Sequence, residues 1–110
     1  MRRGGWTAFP CIPTRDRALA ATLGDCHAAL IRAHGVTVTA ESVEALLVDS
    51  VHFEENARTL FRAASLGTVT GLSQDEMADF LSRFSRPAHI GKLWKYYLGR
   101  GVDTGIVPAA

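Results

Sequence analysis

The chain of 110 residues carries 12 lysines and arginines against 11 aspartates and glutamates, with 47% hydrophobic and 21% charged residues. That length holds one domain at most, able to bury roughly two thirds of its unfolded surface, and the balance of apolar and charged residues excludes disorder throughout. The net charge of +1 argues against a broad basic face, and no run approaches the roughly eighteen apolar residues of a membrane span, so neither nucleic acid nor membrane is an expected partner.

Residues 1–13, with Gly4, Gly5, Pro10 and Pro13 and no hydrophobic period, read as an extended arm. Met1-Arg2-Arg3 is followed by no apolar run, so no secretory or twin-arginine leader is read. Cys11 and Cys26 form no Cys-x-x-Cys pair, which sets aside a zinc ribbon or dithiol motif and fits free thiols in the cytoplasm. Thr14 or Asp16 caps a short helix over Arg17 to Leu23, stopped by Gly24.

Ala28 to Ala33 is apolar enough for a central strand covered on both faces, and Val36-Thr37-Val38-Thr39 alternates as a half-covered strand does. Between them Gly35 permits positive φ, so the backbone turns just after His34 and presents its ring at the rim of the sheet.

Ser42 caps a long helix with Glu44 in its first turn. Its apolar stripe runs through Val43, Leu46, Leu47, Phe53, Ala57, Leu60, Phe61 and Ala64 to a stop at Gly67. Such a helix is roughly 37 Å long. Ser73-Gln74-Asp75-Glu76 is a capping box opening a second helix that reaches about Phe84. Pro87 breaks the pattern, Lys92 to Leu98 forms a last short helix before Gly99 and Gly101, and residues 102–110 read as a frayed tail after one folded body over residues 14–101.

His34 is the first candidate for chemistry, since an imidazole at a strand end serves in metal ligation or proton transfer, or packs structurally. His52 and Glu55, three apart on the long helix, lack the second such pair that a carboxylate-bridged metal site needs, and read as a solvated contact. Glu54 falls on the apolar stripe and must find a partner there, either Arg58 one turn later or a basic group from the sheet, unless it orients a ligand such as His34. His27 reads as an edge residue and His89, between Pro87 and Gly91, as a loop residue, both without chemistry. Trp94, Tyr96 and Tyr97 among Lys92, Lys95 and Arg100 read as an aromatic anchor against the body or a neighbouring subunit rather than a stacking platform for single strands. There is no Walker loop, Gly-x-Gly-x-x-Gly, Gly-x-Ser-x-Gly or His-Glu-x-x-His.

The stretch Leu30-Ile31-Arg32-Ala33-His34-Gly35-Val36-Thr37-Val38, with Ser42-Val43-Glu44-Ala45 and Phe53-Glu54-Glu55-Asn56-Ala57-Arg58, resembles the C-terminal half of the class II aldolase and adducin family, over about Phe9 to Arg100. The resemblance implies an α/β chain of the α+β type, with an antiparallel sheet flanked by helices, assembled as a homo-oligomer that is a tetramer in the family. It also implies that His34 is the third histidine ligand of a divalent metal, commonly zinc. The metal would stabilise an enediolate while a carbon-carbon bond of a sugar phosphate or related hydroxy or keto acid breaks. The family's other two ligands, in a His-x-His motif, its acid-base carboxylate and its phosphate-binding loops belong to an N-terminal half that has no counterpart here. The expected function is that of the C-terminal fragment of a metal-dependent lyase or epimerase of carbohydrate metabolism, inactive alone. The alternative is a non-catalytic, adducin-like interaction module or a decayed remnant.

Overall fold

The computed structural model describes residues 11–12 and 16–109. These residues fall into two compact units that divide between Glu41 and Ser42, each described by itself. Helices and a small sheet together make the chain α+β.

The first unit holds β1 (Cys11–Ile12), α1 (Asp16–Leu23), β2 (Ala28–Ile31) and β3 (Gly35–Val38). β2 is the middle strand, as its apolar run implies, but it is not covered along its length on both faces: Ala28 and Ala29 are buried while Leu30 is exposed. It pairs antiparallel with β3, placing Ala28 opposite Val38, Leu30 opposite Val36 and Ile31 opposite Gly35. On its other side β1 pairs with it in parallel, so the sheet is mixed rather than purely antiparallel, and part of the expected arm is a strand. Parallel neighbours need a crossover of about a dozen residues, which α1 and its connections supply. Ala28 and Ala29 are buried, and the N–H of Thr39 extends the ladder by donating to the His27 carbonyl at 2.8 Å. α1 stops at Gly24, whose φ of 47° and N–H bond to the Ala20 carbonyl make the left-handed helix end that glycine adopts most readily. Thr14 lies outside the described residues, and Asp16 is the first helical residue.

The second unit is three helices, α2 (Val43–Leu66), α3 (Gln74–Arg83) and α4 (Arg86–Asp103). α2 starts because the Ser42 hydroxyl accepts the Ala45 N–H at 3.1 Å. α3 opens on both halves of the capping box: the Ser73 N–H donates to the Glu76 carboxylate at 2.8 Å, and the Glu76 N–H donates to the Ser73 hydroxyl at 3.2 Å. The bond from the Ser73 backbone N–H, and then the one involving its hydroxyl, hold the Glu76 carboxyl below its ordinary value. This half of the cap is therefore complete above the ordinary carboxyl range and is lost as pH falls through the lowered value.

α4 differs from the expected short helix. Ser85 caps it, and Pro87 sits in its first turn, where a missing N–H has no helical partner to lose. Pro87 thus starts the helix, which continues through Gly91 and Gly99. The expected frayed tail is also replaced by structure. Val102 and Asp103 complete α4, Gly105 takes a φ of 73°, and the N–H groups of Ile106 and Val107 both donate to the Gly101 carbonyl. A Cβ at Gly101 would lie 2.9 Å from Val107 Cγ2, so a larger residue there would push this turn away.

α2 packs against α4. Ala45, Val48 and Asp49 of α2 and Ile90 of α4 are the buried residues of this unit among those described. Arg86 grips Asp49 with both arms of its guanidinium, Nη1 to Oδ1 at 3.1 Å and Nη2 to Oδ2 at 2.7 Å. One helical step further along each helix, His52 meets His89. Both pairs are 37 residues apart, so the two helices run in the same sense along this seam, with α3 between them in the sequence. Beyond Phe53 the seam ends, and Leu60, Phe61 and Leu66 are exposed; the stripe read from the sequence does not face α4 in the early turns either, since Val43, Leu46 and Leu47 are exposed and the covered face is that of Ala45, Val48 and Asp49.

Replacing Arg86 by methionine leaves the Asp49 carboxylate, 9% exposed, without its bidentate partner. We expect urea unfolding to show a loss of about 2 kcal/mol, because a hydrogen-bonded charge left in a poorly solvated position loses more than a surface pair does. Arg86→Lys should recover only part of this, since an ammonium cannot reproduce the fork.

Candidate functional site

In the first unit, β2 and β3 form a hairpin joined by Arg32, Ala33 and His34. The His34 N–H donates to the Ile31 carbonyl at 3.1 Å and closes the turn. The left-handed residue is Ala33, with φ 56°, in keeping with three-residue hairpin loops that place one residue in that region. Gly35 follows at φ 153° with open space where a Cβ would lie. The strand therefore ends two residues earlier than the apolar run suggests, and His34 belongs to the loop tip with its side chain exposed. An exposed imidazole has both nitrogens available to a ligand or to solvent. His27, also exposed, stands just before β2.

In the second unit, Glu54 and Arg58 pair across one turn of α2 at 2.5 Å, and both are exposed, with side-chain exposures of 71% and 61%. The partner expected for Glu54 is thus present, but water, not a core, surrounds it. The open depression beside this pair is lined by Val51, Glu54, Arg58 and Arg62 among others, all from α2. One helix surface has no opposing wall and does not make a binding cleft.

Trp94 and Tyr97 are half-buried on α4, while Tyr96 is exposed. The two tyrosine rings meet edge to face at 5.2 Å. Arg100 lies over the Tyr96 ring and donates to its hydroxyl at 3.3 Å, a contact that raises the already high Arg100 pKa.

The convergence that sequence reasoning missed is between His52 and His89. His89 sits not in a loop but in the first turn of α4, because Pro87 begins that helix. Its Nε2 is 2.9 Å from the Nε2 of His52, with the rings 19° from parallel. Glu55 approaches the other nitrogen of His52, Nδ1, at 3.6 Å. Phe84 covers His89 from the side at 5.1 Å and in turn stacks on Phe80. The available signal was the matching spacing of Asp49 and His52 on one helix with Arg86 and His89 on another, complementary in charge at the first pair. Among the described residues no three His, Cys, Asp or Glu side chains converge as a metal-binding group, and no helix is long and apolar enough to cross a membrane.

Compared with models of protein families, with curated proteins and with solved structures, the chain finds no match.

Replacement of Glu54 by alanine is expected to change stability by no more than about 0.5 kcal/mol in thermal or urea unfolding, the effect of breaking an exposed ion pair. A loss above about 1 kcal/mol would show that Glu54 has a partner other than Arg58.

Proposed function

We propose that this chain contributes one metal-ligating histidine, His34, to a divalent-metal lyase or epimerase site of the class II aldolase and adducin type. The observation that carries this reading is the placement of His34. It sits exposed at the tip of the β2–β3 hairpin, with Gly35 opening the next strand and a Ser42-capped long helix following. This is the order of elements that the resemblance over Leu30 to Arg58 implies.

One imidazole suits one position of a zinc-like site, which takes three protein ligands when it is catalytic. The sequence contains no His-x-His, so the remaining ligands are supplied by a second chain or segment. When bound, the metal supplies Lewis acidity toward the oxygens of a sugar phosphate or a related hydroxy or keto acid. His34 holds a neutral ring nitrogen toward that ion, and the short hairpin fixes where the ring stands. The chain works in the cytoplasm, in keeping with the exposed free thiol of Cys26, and as a homo-oligomer in which Trp94, Tyr96 and Tyr97 lie at a subunit contact.

A second reading, a non-catalytic interaction module, is favoured by a different observation. Leu60, Phe61 and Leu66 of α2 and Phe80 and Leu81 of α3 are all more than half exposed. Exposed apolar side chains in this number are the material from which surfaces covered by other chains are made.

The two readings separate in the assembled, metal-loaded protein. His34→Ala is expected to lower the metal content by one ion per chain, as measured by elemental analysis, and to lower turnover by about a thousandfold or more, the loss of several kcal/mol of charge stabilisation. Unchanged metal content and turnover would refute the ligand role, and association with a partner that His34→Ala leaves intact, in a protein without metal, would support the interaction module.

A further inference from the structure

We propose that His52 and His89 form a second, separate metal-binding pair, a two-histidine clip for a zinc-like divalent ion that ties α4 to α2. The argument does not depend on His34 or on the reading of that loop.

The two Nε2 atoms come from different helices and meet at 2.9 Å. Two nitrogens bound to one tetrahedral zinc at 2.0–2.1 Å lie about 3.3 Å apart, so the rings need to part by only about 0.4 Å to admit the ion. Side-chain rotation at half-buried positions supplies that. Without metal the pair shares one proton, the Nε2–H of one ring donating to the lone pair of the other. With metal, both Nε2 atoms present lone pairs, and the ring that carried Nε2–H moves its proton to Nδ1, so a neutral pair loses no proton.

Three surroundings favour ligation. The Glu55 carboxylate at 3.6 Å from Nδ1 of His52 favours the tautomer whose Nε2 is free to ligate, the usual relation of carboxylate, histidine and metal. The Asp49–Arg86 fork, one helical step away, fixes the register of the helices and so the approach of the imidazoles. The Phe84 ring beside His89 excludes water from one flank. With two protein ligands the ion keeps open positions for water or for an oxygen or nitrogen donor of a bound molecule.

Zinc chloride titrated into the full chain, followed by the histidine ring signals in NMR, tests the proposal. The expected result is that the His52 and His89 rings shift together and saturate at one ion per chain, while His27 does not respond. His52→Gln and His89→Gln should each weaken binding more than about tenfold, and Glu55→Gln by about tenfold, the usual effect of removing a carboxylate behind a ligating histidine. Failure of the two rings to shift with zinc, or full affinity in a folded His89→Gln variant, would overturn it. The ring signals of the unsubstituted chain decide the matter even where a variant does not fold.

Discussion

The second unit depends on one constraint, the grip of Arg86 on Asp49. A carboxylate carried into the buried face of a helix needs a partner that satisfies both oxygens. Arg86 does so from the first residue of α4, held in place because Ser85 caps that helix and Pro87 starts it. From this contact the rest of the seam follows. The helices share a direction, His89 arrives opposite His52, and Val48 and Ile90 are buried close by. With the fork removed, the His52–His89 contact and the burial of Val48 and Ile90 are left to set how far α4 is turned about its axis relative to α2.

Local chemistry was legible in the sequence wherever the deciding atoms are neighbours in the chain. Ser42, Ser73 with Glu76, and Gly24 do in the structure what their residue types imply, because a cap or a left-handed stop is settled within about four residues. The central place of β2 follows from its apolar run. Illegible were the features set by distant groups. Pro87 reads equally as a breaker or a first-turn residue, and only the capping Ser85 and the Asp49 contact decide that it opens an 18-residue helix. The parallel pairing of β1 depends on α1 crossing over, which no two-residue strand announces. His89 was set aside because, without that helix, nothing linked it to a residue 37 positions earlier.

The candidate site was legible in part for a similar reason. His34 and Gly35 mark a turn, and the turn is there, but the strained residue is Ala33 and the imidazole stands in the loop rather than at the strand end. Glu54 shows the limit of periodicity. Its spacing places it on the apolar stripe, yet that stripe is not the face α2 buries: Val43, Leu46 and Leu47 are exposed while Ala45, Val48 and Asp49 are covered, so Glu54 and Arg58 meet in water. The uncovered stretch beyond Phe53, together with α3, is the part of this unit that relies least on its own core.

Amide hydrogen exchange along α2 tests this account most directly. If the Asp49 fork and the buried face around Val48 hold the unit together, amides of residues 46–53 should exchange at least about a hundredfold more slowly than those of residues 58–66. Arg86→Met should erase most of that difference. Uniform protection along the whole of α2, unchanged in the variant, would contradict it and show that the helix is held by something other than its seam with α4.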